Sequence, residues 1–205
     1  MLKILFIGNS HTYFNDMPQI FRRLTEYNGV ETEVTMLAHG GMGLDFHANQ
    51  PEVRFNILYG GYDFVVLQHT AHPFGEEKVF FEAANTISQM VSQTKARTLL
   101  YMTWSEKENE AGQKRMTDAY VSLSRAIGAV LAPVGEAWQA FHMAHPEVEL
   151  YNGDGQHASP FGSALAACVL CTAVLERPIQ AEDGLFTEAA ALAWEKYQEY
   201  QVEMG

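Results

Sequence analysis

The sequence predicts a three-layer α/β/α domain around a five-stranded parallel sheet. Short apolar runs of strand length alternate with helical patterns from end to end, the signature of a parallel sheet covered by helices. The clearest run, Tyr62-Asp63-Phe64-Val65-Val66-Leu67-Gln68, is continuously apolar at its centre, as a strand buried on both faces requires. No repeat, low-complexity tract or linker interrupts the 205 residues, so residues 1–205 are expected to form one domain.

Residues 3–7 are a short apolar run ending at Gly8, the first strand. Pro18 opens a helix with Asn15 or Asp16 as its cap, and Ile20, Phe21, Leu24 and Tyr27 supply its apolar stripe. Residues 31–37 set Val34 and Met36 against polar neighbours and form strand two; the stretch from Gly40 to Tyr59 is irregular or helical. Strand three covers 62–68, followed by a helix over 80–93 with Ala83, Ala84, Ile87, Met90 and Val91 on one side. Strand four is 98–103, a long helix covers 110–127, and strand five is 129–134, where Pro133 implies a sheet edge or a strand end. After a short helix over 135–145, Ser159 as cap and Pro160 as first residue open an apolar helix running to Leu175. Thr187 is expected to cap a last amphipathic helix reaching Val202. Right-handed crossovers follow from the parallel connections.

Composition narrows the function. With 13 basic and 25 acidic residues the net charge is −12, so phosphate backbones and anionic membrane surfaces would be repelled. Neither a nucleic-acid nor a membrane role is expected. No run approaches the ~20 apolar residues of a spanning helix, and the apolar start at Leu2 is interrupted too soon for a secretory signal. Two cysteines, Cys168 and Cys171, give no disulfide framework and lie in an apolar helix as buried thiols, so a reduced, cytoplasmic protein is expected.

In an open parallel sheet, ligands bind at the carboxyl ends of the strands. The segments expected there are Gly8-Asn9-Ser10-His11-Thr12, His39-Gly40-Gly41-Met42-Gly43, Gln68-His69-Thr70-Ala71-His72 and Trp104-Ser105-Glu106. They are joined by the loop from Asn152 to Ser159. A hydroxyl, glycine amides, an amide side chain, a carboxylate and several imidazoles meet on one rim. Serine needs a base to attack at neutral pH, and His157 supplies one; Asp154, three residues earlier in a glycine-flanked turn, reaches the same imidazole. Gly41 offers an unobstructed backbone amide and Gln68 a side-chain amide to a developing oxyanion. His11, Gly40, His69 and Trp104 are expected to line the substrate pocket. The pairs His69/His72 and His142/His145 lack the further ligands a metal site needs, so neither metal nor cofactor is expected.

These blocks resemble the SGNH (GDSL-type) hydrolases. Gly8-Asn9-Ser10 is similar to the family's nucleophile block, with Asn where many members have Asp. Gly41 is similar to the oxyanion glycine of the second block, and Asp154-Gly155-Gln156-His157 to the closing Asp-x-x-His block. The likeness is tighter to an uncharacterised branch with Gly-Asn-Ser, Gly-Gly-x-x-Leu, Leu-Gln, Thr-Trp, Pro-Val-Gly and Asp-Gly-x-His-x-Ser segments, all present here between Gly8 and Gly162. The third-block Asn has no counterpart, and Gln68 is the nearest amide. The resemblance implies a flavodoxin-like sheet topology. It also implies a serine esterase acting on a small acyl ester through an acyl-enzyme on Ser10, acetyl esters of carbohydrates being one option. A second reading is a non-catalytic flavodoxin-like module holding a phosphate, flavin or sugar at the same edge, where Ser10, Thr12 and helix amides would cradle an anion. The absence of a Gly-rich dinucleotide fingerprint counts against it.

Overall fold

The computed structural model describes residues 1–182 and 184–204. Its five strands are β1 (Leu2–Gly8), β2 (Thr32–Ala38), β3 (Phe64–Leu67), β4 (Arg97–Tyr101) and β5 (Val130–Ala132). They pair in the order β2-β1-β3-β4-β5, every pair parallel, so the expected five-stranded parallel sheet of flavodoxin-like order is present. The order reverses between β1 and β3, the position at which open sheets of this kind bind their ligands.

Alternation along the strands divides the core. Ile4 and Phe6 of β1, with Phe64, Val66, Leu99 and Tyr101, face one helix layer. That layer holds α2 (Met17–Tyr27), α7 (Val134–Ala144), α8 (Pro160–Leu175) and α9 (Leu185–Met204). Leu5, Ile7, Val65, Leu67 and Leu100 face the other, formed by α3 (Leu44–His47), α4 (Pro51–Tyr59), α5 (Glu77–Val91) and α6 (Gly112–Ile127). The helix α8 is apolar all round because it is covered all round: every residue from Leu165 to Val174 is buried. Among the described residues no helix is long and apolar enough to cross a membrane.

Several boundaries differ from expectation. β3 spans four residues and not seven; just before it, Asp63 Oδ2 accepts the Lys3 N–H at 2.9 Å. β5 is an edge strand and stops before Pro133, which instead leads into α7. Neither Asn15 nor Asp16 caps α2 with its side chain. Both sit in left-handed backbone, φ 52° and 57°, at the end of a 3-10 turn (Phe14–Asp16) that follows α1 (Ser10–Tyr13). Thr187 is not a cap either: α9 begins two residues earlier, and the Thr187 hydroxyl donates to Glu182 O at 2.9 Å. Ser159 does cap α8, accepting the Gly162 N–H at 3.0 Å.

Candidate active site

The site grows from the end of β1. Gly8 is where a side chain has no room: a Cβ there would lie 2.4 Å from Thr12 Oγ1 and 2.5 Å from Gln68 Oε1. Asn9 follows in extended backbone and caps α1, its Oδ1 accepting the His11 N–H at 3.1 Å. Ser10 is therefore the first residue of that short helix, half-buried at the carboxyl edge of the sheet.

Asp154 and His157 come from a tight turn between the bridge partners Tyr151 and Ala158. The Asn152 N–H donates to His157 O at 2.7 Å, and Gly155 supplies the positive φ of 69° that the reversal needs. Asp154 Oδ1 accepts the backbone N–H groups of Gln156 and His157, both at 2.9 Å. That leaves Oδ2 for the His157 ring, whose Nδ1–H donates to it at 2.6 Å. On the far side of the ring, Nε2 accepts from Ser10 Oγ–H at 2.8 Å. The proton positions follow from the partners, because a carboxylate only accepts. Desolvation pushes the Asp154 carboxyl up, but the His157 ring and the two backbone N–H groups outweigh it and hold it at about 2. The structure thus brings Ser10, His157 and Asp154 into one hydrogen-bonded series.

A wall of uncharged histidines stands beside it. His72 Nε2–H donates to Trp104 O at 3.0 Å, so its Nδ1 is free to accept from His11 Nε2–H, also at 3.0 Å. Burial, reinforced by the neighbouring His72 and His157, lowers His11 to about 3, and burial also lowers His72. The His11 ring stacks on His157 at 5.0 Å between centroids and 25° between planes. Phe14 stacks on His157 more closely, at 4.1 Å and 16°.

The glycine loop approaches from the end of β2. The Met42 N–H donates to His39 O at 3.1 Å, making a turn in which Gly41, at φ 74°, holds the left-handed position. Asn9 Nδ2 donates to Met42 O at 3.0 Å and ties this loop to the residue before Ser10. Gly40 and Gly41 are both exposed there.

Four expected roles change. The Gln68 amide is not an oxyanion donor: it is fully buried, its Oε1 accepts from Asn9 N–H at 2.8 Å and Thr12 Oγ1 at 2.9 Å, and its Nε2 donates to His69 O. His69 is not a pocket residue. Its Nδ1 accepts the Leu44 N–H at 3.1 Å, its ring stacks on Phe80, and burial holds it neutral with a pKa of about 4. Trp104 is also fully buried; it stacks on Trp138 at 3.9 Å and donates its indole N–H to Gln156 O at 2.9 Å, bracing the Asp154–His157 turn from behind. His11 is buried and faces His157 and His72, leaving it closed to a substrate. Sequence reasoning gave Asn9 no role beyond its place in the Gly8-Asn9-Ser10 block, read Asn15 only as a helix cap, and left Phe14 out. Asn9 carried a signal in its place between Gly8 and Ser10, whereas the other two acquire their contacts only through the fold. Among the described residues no group of three or more His, Cys, Asp or Glu is placed to hold a metal ion.

No family model and no curated protein matches the chain. Solved structures do. A DUF4886 family protein from Bacteroides uniformis superposes with a TM-score of 0.74 at 19% identity, covering 98% of this chain and 95% of its own. A member of the lipolytic protein G-D-S-L family from Veillonella parvula gives 0.64 at 11% identity, covering 86% and 97%. The psychrotrophic esterase EstA from Pseudoalteromonas sp. gives 0.66 at 10% identity, covering 86% and 98%. The protein has the fold of the SGNH (GDSL-type) hydrolases.

Proposed function

We propose that the protein is a serine esterase that hydrolyses a small acyl ester. The observation that carries this is the series Asp154 Oδ2–His157–Ser10 Oγ, closed by contacts of 2.6 and 2.8 Å on a sheet edge where ligands bind. The ester chemistry named for the structural neighbours, an esterase and a lipolytic protein, supports the same reading.

Ser10 Oγ attacks the ester carbonyl as His157 Nε2 takes its proton. Asp154 keeps the Nδ1–H tautomer in place and stabilises the imidazolium that forms. The backbone N–H of Ser10, a first-turn donor without a helical acceptor, and that of Gly41 receive the oxyanion. Collapse of the intermediate expels the alkoxide, which takes the proton from His157, and leaves the acyl group on Ser10. Water, deprotonated by the same Nε2, then attacks the acyl carbonyl, releasing the acid and restoring the Ser10 hydroxyl. Acetyl groups carried on carbohydrate are the first natural substrates to screen.

Hydrolysis of 4-nitrophenyl acetate by wild type, Ser10→Ala, His157→Ala and Asp154→Asn tests this. The first two variants are expected to lose about 10³-fold or more in kcat, and Asp154→Asn roughly 10²–10⁴-fold. A Ser10→Ala enzyme with an undiminished rate overturns the assignment and favours a binding module at this edge.

A further inference from the structure

We propose that Phe14 and Asn15 are positioning residues for His157, forming a strained turn just past the nucleophile that fixes the plane of the imidazole. This inference rests on the esterase reading. A hydrogen bond at Nδ1 pins one atom of the ring but leaves it free to swing about that contact. Something must pack against the face of the ring to keep Nε2 on Ser10 Oγ. The Phe14 ring does so, lying nearly parallel to His157 at 4.1 Å between centroids, closer than the His11 ring at 5.0 Å.

The turn that presents Phe14 joins α1 to α2. Asn15 and Asp16 both adopt left-handed backbone, φ 52° and 57°, a conformation costly for residues with a Cβ. What holds it there is a set of contacts to the His157 side of the molecule. Asn15 Nδ2 donates to Ala158 O, the residue directly after His157, and to Ser163 Oγ, each at 2.9 Å. Ser163 Oγ–H in turn donates to Phe14 O at 3.2 Å. The turn is thereby bolted to both the histidine loop and α8, across 143 and 148 residues of chain. One short segment, Ser10 to Asn15, therefore carries the attacking hydroxyl, the ring that orients its base and the amide that fixes their separation.

The test reads position separately from activity. The His157 Nδ1–H, held in a 2.6 Å bond to Asp154, should give a proton resonance far downfield of the amides, assigned by its loss in Asp154→Asn. Phe14→Ala is expected to broaden or abolish that resonance and to lower kcat for 4-nitrophenyl acetate about 10–100-fold, with KM changed less than about threefold. Phe14→Tyr, which restores the stacking face, should recover the resonance and most of kcat. Asn15→Gly keeps the left-handed φ but removes the clamp, and should resemble Phe14→Ala while staying folded. A sharp resonance with kcat within about twofold in both Phe14→Ala and Asn15→Gly overturns the proposal. Loss in Phe14→Tyr as well as Phe14→Ala, or a wild-type spectrum without the resonance, also overturns it. If wild type shows no Ser10-dependent hydrolysis, the esterase reading fails, and the resonance still decides whether Phe14 and Asn15 hold the ring.

Discussion

Truncating Gln68 leaves two buried donors without an acceptor, the Asn9 N–H now at 2.8 Å and the Thr12 hydroxyl at 2.9 Å. Each stranded donor costs about 1–3 kcal/mol, so Gln68→Leu should lose roughly 2–6 kcal/mol in urea unfolding; a loss under about 0.5 kcal/mol would refute this tying role. The buried histidines make a second prediction. His11, at about 3, and His69, at about 4, are held neutral by burial, whereas in the unfolded chain both titrate near the ordinary 6.5. Between pH 6.5 and pH 4 the unfolded state binds protons that the folded state refuses, so stability from these groups is complete above 6.5 and falls as the pH drops. The urea midpoint should therefore decrease from pH 7 to pH 5, and decrease less in His69→Phe. The meeting of Ser10, Asp154 and His157 was legible in the sequence because these residues follow a strand end and a glycine-flanked turn. Gln68, His69 and Trp104 follow strand ends just as closely, and nothing local distinguishes a side chain that faces the crevice from one that turns inward to hold it up.

Among the elements, α8 is the best specified. Pro160 sets its first turn, and Ser159 both accepts the Gly162 N–H and donates to Glu149 O at 2.7 Å. Ser159→Ala should cost about 1–2 kcal/mol. Gly162→Ala should cost more than a helix glycine normally would gain from the change, because its Cβ would lie 2.3 Å from Leu150 O and 2.5 Å from Trp138 Cη2. Calorimetry of the two variants checks both, and a Gly162→Ala protein that melts higher than wild type would contradict the crowding. The periodicity of the chain marked this helix and the strands, since burial on all sides leaves an unbroken apolar run. It misplaced the caps of α2 and α9 for a physical reason: Asn15 has better partners at Ala158 and Ser163 than the end of its own helix, and Thr187 lies within hydrogen-bond reach of Glu182 O.

At the scale of the molecule, the parallel sheet was implied by the strand-helix alternation and its flavodoxin-like order by the family resemblance, and the two cores follow from the two faces of β1. The layer over α8 encloses Cys168 and Cys171, 2% and 0% exposed, and burial pushes the Cys168 thiol up to about 12. Reaction with a thiol reagent should be negligible in native buffer and should track the unfolding curve as urea is raised; fast labelling of the native protein would show that α8 opens locally. The spacing of the site along the chain has a further consequence. Ser10 and His157, which share a hydrogen bond, lie 147 residues apart, so the hydroxyl leaves the ribosome long before His157 is made. Through most of synthesis the Ser10 hydroxyl has no imidazole to donate to, and a chain cut short before His157 never acquires that hydrogen bond at all.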